Sequence, residues 1–235
     1  MDKVSGGDAA TLVLVIVFAA LASGSARADL LVLNSTEPNI KPGQVLTART
    51  TLTLPNGGAV TLLAQDGRTI HATGPWSGTL DAADSRSGDP RVVTVLSRLL
   101  VTSPADKTSL GVTRGVDLRG PFTIRPEGGA HCQVATTPPT FEREPVGRPE
   151  RLTIADTTGG QAALTWPADT ETLPWPGSLP FHDGSYTLRM ASNPKPVTLT
   201  VHHVPASLAT KAAVAAWMAE TGCTAQALAL LATIQ

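Results

Sequence analysis

Strong charge of either sign is missing from this chain. Charged residues occupy 16% of its 235 positions and the formal net charge is −1. That excludes the basic stripe of a nucleic-acid binder and the polybasic cluster of an anionic-membrane binder. Cysteine is scarce too, with two residues and no C-x-x-C pair, so thiolate zinc modules and dithiol redox motifs are excluded. The short motifs that mark strong chemistry are lacking: no G-x-S-x-G elbow, no H-E-x-x-H, no P-loop and no G-x-G-x-x-G. Long helical stretches are excluded through most of the chain, because 21 glycines and 19 prolines interrupt it.

An apolar run long enough to span a bilayer is also missing. The longest, residues 11–22 (TLVLVIVFAALA), falls short of the roughly 20 apolar residues a spanning helix needs. It has the length of a signal-peptide core, with Lys3 before it and Ala26-Arg27-Ala28 after it as an A-x-A cleavage site. The expectation is a signal peptide over 1–28, a mature chain from Asp29, and a periplasmic or secreted protein with no integral membrane segment after cleavage. No cysteine at the cleavage site calls for a lipid anchor, and no twin arginine calls for export in the folded state.

What the mature chain does contain is β-strand patterning cut by turn residues. Residues 30–34 (LLVLN) read as an opening strand. Residues 43–80 form a series of short Thr/Val/Leu runs cut at Asn56-Gly57-Gly58, Asp66-Gly67 and Gly74-Pro75. Gly and Asn accept positive φ and Pro presets a turn, so the stretch predicts a meander of hairpins. Asp89 as N-cap, Pro90 as first helical residue, and Val92, Val95, Leu96, Leu99 and Leu100 at helical spacing predict a helix over 90–101. Short strands are expected at 109–113 and 121–125. The run 137–149, with four prolines and mixed charge, reads as a linker or surface crossing.

A second β unit begins at 150. RLTIA and QAALTW flank Thr157-Thr158-Gly159-Gly160 as a hairpin, and two more strands follow around 183–190 and 197–201. Four strands are too few for a complete sandwich, so this unit is expected to share a core with the first. In the tail, Ser207 is placed to cap a helix ending near Thr221 and Gly222, and Thr224 to cap a second, shorter one through Thr233. The fold class is therefore mainly β with a C-terminal α-helical hairpin. Its expected divisions are a first β-rich unit with one short helix over 29–135, a Pro-rich linker over 136–149, a small sandwich-like unit over 150–204, and the helical hairpin over 205–235.

Two resemblances rest on particular residues. The stretch PGQVLTARTTLTLPNGGAVTLLAQDGRTIHATGP, within 42–80, resembles the periplasmic FecR-type domain in its rhythm of short strands around an Asp-Gly turn, here Asp66-Gly67. SLGVTRG at 109–115 is similar to that family's V-R-G element, with Thr113 departing from it. The resemblance implies a β-rich extracytoplasmic module used for protein contact, and it brings no catalytic residue. Family members carry an anti-sigma segment and a membrane helix, in whose place this chain has a cleavable signal. In the second unit, Trp166 ending one strand and Tyr186 opening a later one resemble immunoglobulin-like and fibronectin-like sandwiches. There the Trp fills the core and the Tyr hydroxyl pins a corner.

Few residues offer chemistry. His182, Asp183 and Ser185 are too close in sequence to form a triad, since the base must face the nucleophile with an acid behind it. His131, Cys132, His202, His203 and Cys223 form the one conceivable metal set, but strand neighbours point to opposite faces, so His202 and His203 cannot share an ion. Cys132 and Cys223 are expected to be joined as a disulfide in an exported protein. Trp76 and Trp175, lying in Gly/Pro turns, are the candidates for an exposed binding platform, with core packing the favoured reading of both. No catalytic residue, metal or cofactor is assigned. The expected role is a non-enzymatic envelope protein that contacts another envelope protein in signalling or assembly. The alternatives are a cell-wall or glycan binder using the two tryptophans, and a secreted hydrolase without a local motif.

Overall fold

A computed structural model describes residues 29–47, 49–80, 88–102 and 120–234. The predicted signal peptide, the strand at 109–113 and the segment 109–115 lie outside the described residues. The first strand, β1 (Asp29–Ser35), is followed by β2 (Val45–Thr47), β3 (Thr51–Leu54), β4 (Ala59–Ala64), β5 (Thr69–Thr73) and β6 (Trp76–Thr79). The turns fall where Gly and Asn require them; Gly67, at φ 86°, sits in the β4–β5 turn. The pairing is not a sequential meander. One antiparallel sheet has the order β2-β1-β4-β5, while β3 pairs β6 as a separate ribbon. The β4–β5 hairpin is thus nested between β3 and β6. Local turn chemistry predicts where strands end, but not which strands pair.

β1 explains why its sequence is apolar at consecutive positions. Leu31 and Leu33 face one cluster with helical residues, and Leu30 and Val32 face another with Leu52, Leu54 and Leu80. A strand covered on both faces has no solvent side and so loses the alternation of polar and apolar residues. The helical cover is α1 (Pro90–Thr102), α2 (Lys211–Glu220) and α3 (Thr224–Ala232). α1 starts as its sequence predicts: the Asp89 carboxylate accepts from the Arg91 amide at 2.9 Å, and Val92, Val93, Leu96 and Leu99 are buried. In the tail, Thr210 rather than Ser207 caps α2, its hydroxyl accepting from the Ala213 amide at 3.1 Å. Cys223 rather than Thr224 is the N-cap residue of α3. The turn between the two helices is made by Gly222 at φ 91°, a left-handed conformation that glycine adopts without a Cβ penalty.

The second unit contains more strands than its sequence pattern revealed. β7 (Thr123–Ile124), β8 (Gly129–Gln133) and β9 (Thr140–Glu142) precede β10 (Glu150–Asp156), β11 (Gln161–Trp166), β12 (Thr172–Pro174), β13 (Gly184–Met190) and β14 (Asn193–His203). They form a five-stranded sheet, β11-β10-β13-β14-β8, and a three-stranded one, β12-β9-β7. Both sheets contribute to one core, with Ile124 and Phe141 from the smaller and Leu152, Ile154, Tyr186, Leu188, Leu199 and Val201 from the larger. The expectation of a core shared with the first unit is corrected: among the described residues, none before Ile124 belongs to this cluster. Strands from 120–142, assigned from sequence to the first unit and the linker, complete the sandwich. Trp166 is fully buried and Tyr186 is 1% exposed. The Tyr186 hydroxyl donates to the Pro180 carbonyl and accepts from the His182 amide, each at 2.9 Å. Both rings do what the resemblance to such sandwiches implies.

β8 is the seam between the two parts. It pairs with β14 in parallel, and Cys132 on β8 belongs to the helical cluster. Cys132 is disulfide-bonded to Cys223, with their Cα atoms 5.9 Å apart and a sequence separation of 91. Beside that bond the buried Gln226 of α3 treats β8 as a neighbouring strand would. Its Oε1 accepts from the Cys132 amide at 2.7 Å and its Nε2 donates to the Cys132 carbonyl at 2.9 Å and to the Pro121 carbonyl at 2.8 Å. Reduction of the disulfide should lower unfolding stability by about 4–5 kcal/mol, the loop-closure entropy for a ring of this length. Denaturant unfolding with and without reductant measures it, and Cys223→Ala should remove the reductant dependence.

Candidate functional site

The residues singled out for chemistry are separated by the pleat. Along β14, Leu199 and Val201 are core residues, so His203 lies on the inner side and His202 on the outer. Along β13, Tyr186 and Leu188 are core residues, which puts Ser185 on the outer side. His203 does pair with Asp183: its Nδ1 lies 2.9 Å from Asp183 Oδ1, which also accepts from the His203 amide. Burial opposes the Asp183 charge, but these hydrogen bonds outweigh it and hold the carboxyl below its usual range. The His203–Asp183 couple therefore has its serine on the wrong side of the sheet. His182 Nδ1 lies 3.0 Å from the Tyr186 hydroxyl, which places that ring in the corner. Both cysteines of the conceivable metal set are consumed in the disulfide. Among the described residues no three His, Cys, Asp or Glu side chains converge on a metal position.

His131 is 4% exposed and shares the inner side with Val201 through the register of β8 and β14. Its Nε2 lies 3.0 Å from Gln133 Oε1. Burial pushes its pKa down to about 4, with a smaller push from His203 and against the pull of Gln133. The folded state thus holds His131 neutral. Stability from this residue is complete above the unfolded pKa near 6.5 and is lost as pH falls from there through about 4. The loss should approach about 3 kcal/mol. Unfolding curves between pH 7 and 4 should show it, and His131→Gln should flatten that slope.

The two candidate platform tryptophans are packed, not free. Trp76 is half-buried against the ribbon core. Trp175 stacks on Phe141 at 5.4 Å between ring centres and meets Phe181 and Tyr186 edge-on at 4.7 and 5.0 Å. Its Nε1–H donates to the Leu179 carbonyl at 2.8 Å. Trp175 closes one end of the sandwich, and its ring faces are spent on that.

A polar cleft of about 410 Å³ opens at the sandwich, walled in part by Arg143 and Glu150. These two side chains form an ion pair and are 6% and 8% exposed. The Arg143 guanidinium lies 4.4 Å from the Trp166 ring centre, a cation–π contact made outside water. Burial raises Glu150, but the Ser192 amide, donating at 2.8 Å, and Arg143 outweigh it and hold the carboxyl below its usual range. Glutamates outnumber arginines in the lining, so the cleft repels anions. Glu150→Ala leaves a buried cation without its partner and should cost about 3–5 kcal/mol, read from denaturant midpoints.

The remaining built feature is the free edge at β11. Asp156 N–H bonds the Gly160 carbonyl at 2.9 Å at the turn. Counting from there along the antiparallel register, Ala162, Leu164 and Trp166 bond to β10, while Gln161, Ala163 and Thr165 direct their N–H and C=O groups away from it. All six β11 residues pair with β10 without a register shift, and the strand has no charged residue and no proline. These are the devices by which edge strands are usually blunted. Sequence reasoning read QAALTW as a hairpin strand and missed its importance. The lack of charge and proline was visible there; the edge position depends on pairing with distant strands. Neither a scan against protein-family models nor a comparison with curated proteins finds a match for this chain.

Proposed function

We propose that this chain is an exported, non-enzymatic protein-contact module of the cell envelope, and that it makes its contact through the edge of the five-stranded sheet at β11. The observation that carries the reading is the contrast between that sheet's two edges. At β8 the disulfide and the Gln226 amide close the edge. At β11 a run of six residues offers the free backbone groups of Gln161, Ala163 and Thr165. An open strand edge binds another polypeptide by adding it to the sheet. The apparent signal peptide and the resemblance of residues 42–80 to FecR-type domains support an extracytoplasmic contact role for the same chain.

The test uses the direction of one amide. Ala163 N–H points away from β10, so Ala163→Pro removes no ladder bond but blocks an incoming strand. The variant should unfold within a few degrees of the parent. It should also lose the envelope partner that a photo-crosslinker placed at Thr165 captures in the parent. Retention of that partner by the folded variant would overturn the reading. Loss of function in a folded Ser185→Ala or His203→Ala variant would favour catalysis instead.

A further inference from the structure

We infer that the β11 edge selects an extended partner segment carrying a carboxylate, which Arg151 reads across Thr165; this rests on the contact-module reading above. Alternation along β10 puts Leu152 and Ile154 in the core and Arg151, Thr153 and Ala155 on the outer side. Cross-strand pairing then sets these residues in rows. Thr165 lies opposite Arg151, and Ala163 lies opposite Thr153, which lies opposite Arg189. On that side of β10, β11 and β13 the ionisable side chains are Arg151 and Arg189, and there is no carboxylate. Both arginines are exposed, and among the described residues neither side chain has an ion pair or hydrogen bond.

A strand added at β11 would lie roughly 10 Å from β10, two strand spacings away. Only the small Thr165 side chain stands between Arg151 and the incoming residue in that row. The long arginine stem can lie over it and present its guanidinium to an Asp or Glu leaning back from the added strand. Arg189, one strand further in, adds positive field without reaching contact. On the inner side of the added strand, the residues flanking the acid would lie opposite Leu164 and Trp166, a half-buried and a buried apolar pair. The occupant is therefore an extended segment with an acidic residue between two apolar, β-forming ones. A basic residue at the acidic position would meet Arg151 as a like charge.

The test titrates the full chain with three capped peptides, Thr-Val-Glu-Val-Thr and its Gln and Lys counterparts, and follows amide exchange and chemical shifts at Gln161, Ala163 and Thr165. The Glu peptide, centred on Thr165, should protect the Ala163 and Thr165 amides, with Gln161 beyond its end as the internal reference, and bind about fivefold tighter than the Lys peptide at low salt. That ratio should narrow as salt is raised. Arg151→Gln should bring the three peptides together without abolishing protection. Equal binding of all three, with the amides protected, overturns the charge inference and leaves the edge reading standing. No protection by any peptide, while Ala163→Pro still loses the envelope partner, overturns the segment chemistry alone. No protection with that partner retained overturns both. A dimer of the chain alone that Ala163→Pro abolishes overturns it in favour of self-pairing.

Discussion

Everything in the described structure is held in relation by what happens at Cys132. Its amide and carbonyl are buried in an edge strand, where an unpaired backbone group costs about as much as a lost hydrogen bond. Gln226 supplies a side-chain amide with the same donor and acceptor as a peptide group, and it satisfies both. The disulfide to Cys223 fixes α3 at the distance where that amide can work. A helix thereby takes the place of a sixth strand. The sandwich ends there, and the helical layer is attached to it.

The helical layer packs into one core and is tied to a second unit by this arrangement. Its apolar side covers Leu31, Leu33 and Leu63 of the first sheet, and Cys132 belongs to the same cluster. The sandwich core remains separate, so the seam is a single strand rather than a merged interior. The polar residues with chemical potential are drawn into the same structural work. Tyr186 and His182 pin the corner, Asp183 binds the His203 amide near the end of β14, and Arg143 with Glu150 ties β10 to the turn at Ser192. In the five-stranded sheet the backbone at β11 and the two arginines beside it are left without such work.

Much of the local structure was legible. The N-cap of α1 was readable because Asp89-Pro90 acts within one turn. Trp166 and Tyr186 were readable because a large ring in an alternating strand has one good place to go. The disulfide was readable because an exported chain with two cysteines has one way to pair them. Harder to read were the caps of the tail helices, since Ser207, Thr210 and Thr224 are all competent and only the packing of α2 and α3 chooses. Trp175 was open between a surface and a packed reading because its Gly/Pro surroundings look like a surface turn, while Phe141, Phe181 and Tyr186 meet it from outside that turn.

By itself the sequence determined the types of the elements with strong local patterning, their turn positions, the absence of the strong catalytic motifs and the covalent link. Each of these depends on residues close in the chain or on a count. Strand partners, the assignment of 120–142 to the second unit, the closed edge at β8 and the open one at β11 were decided only by the tertiary structure. The physical reason is that an edge is not a property of a strand. β8 and β11 are both short runs with no lysine, arginine or proline. One is sealed because a glutamine 94 positions away reaches it, and the other is open because nothing described does.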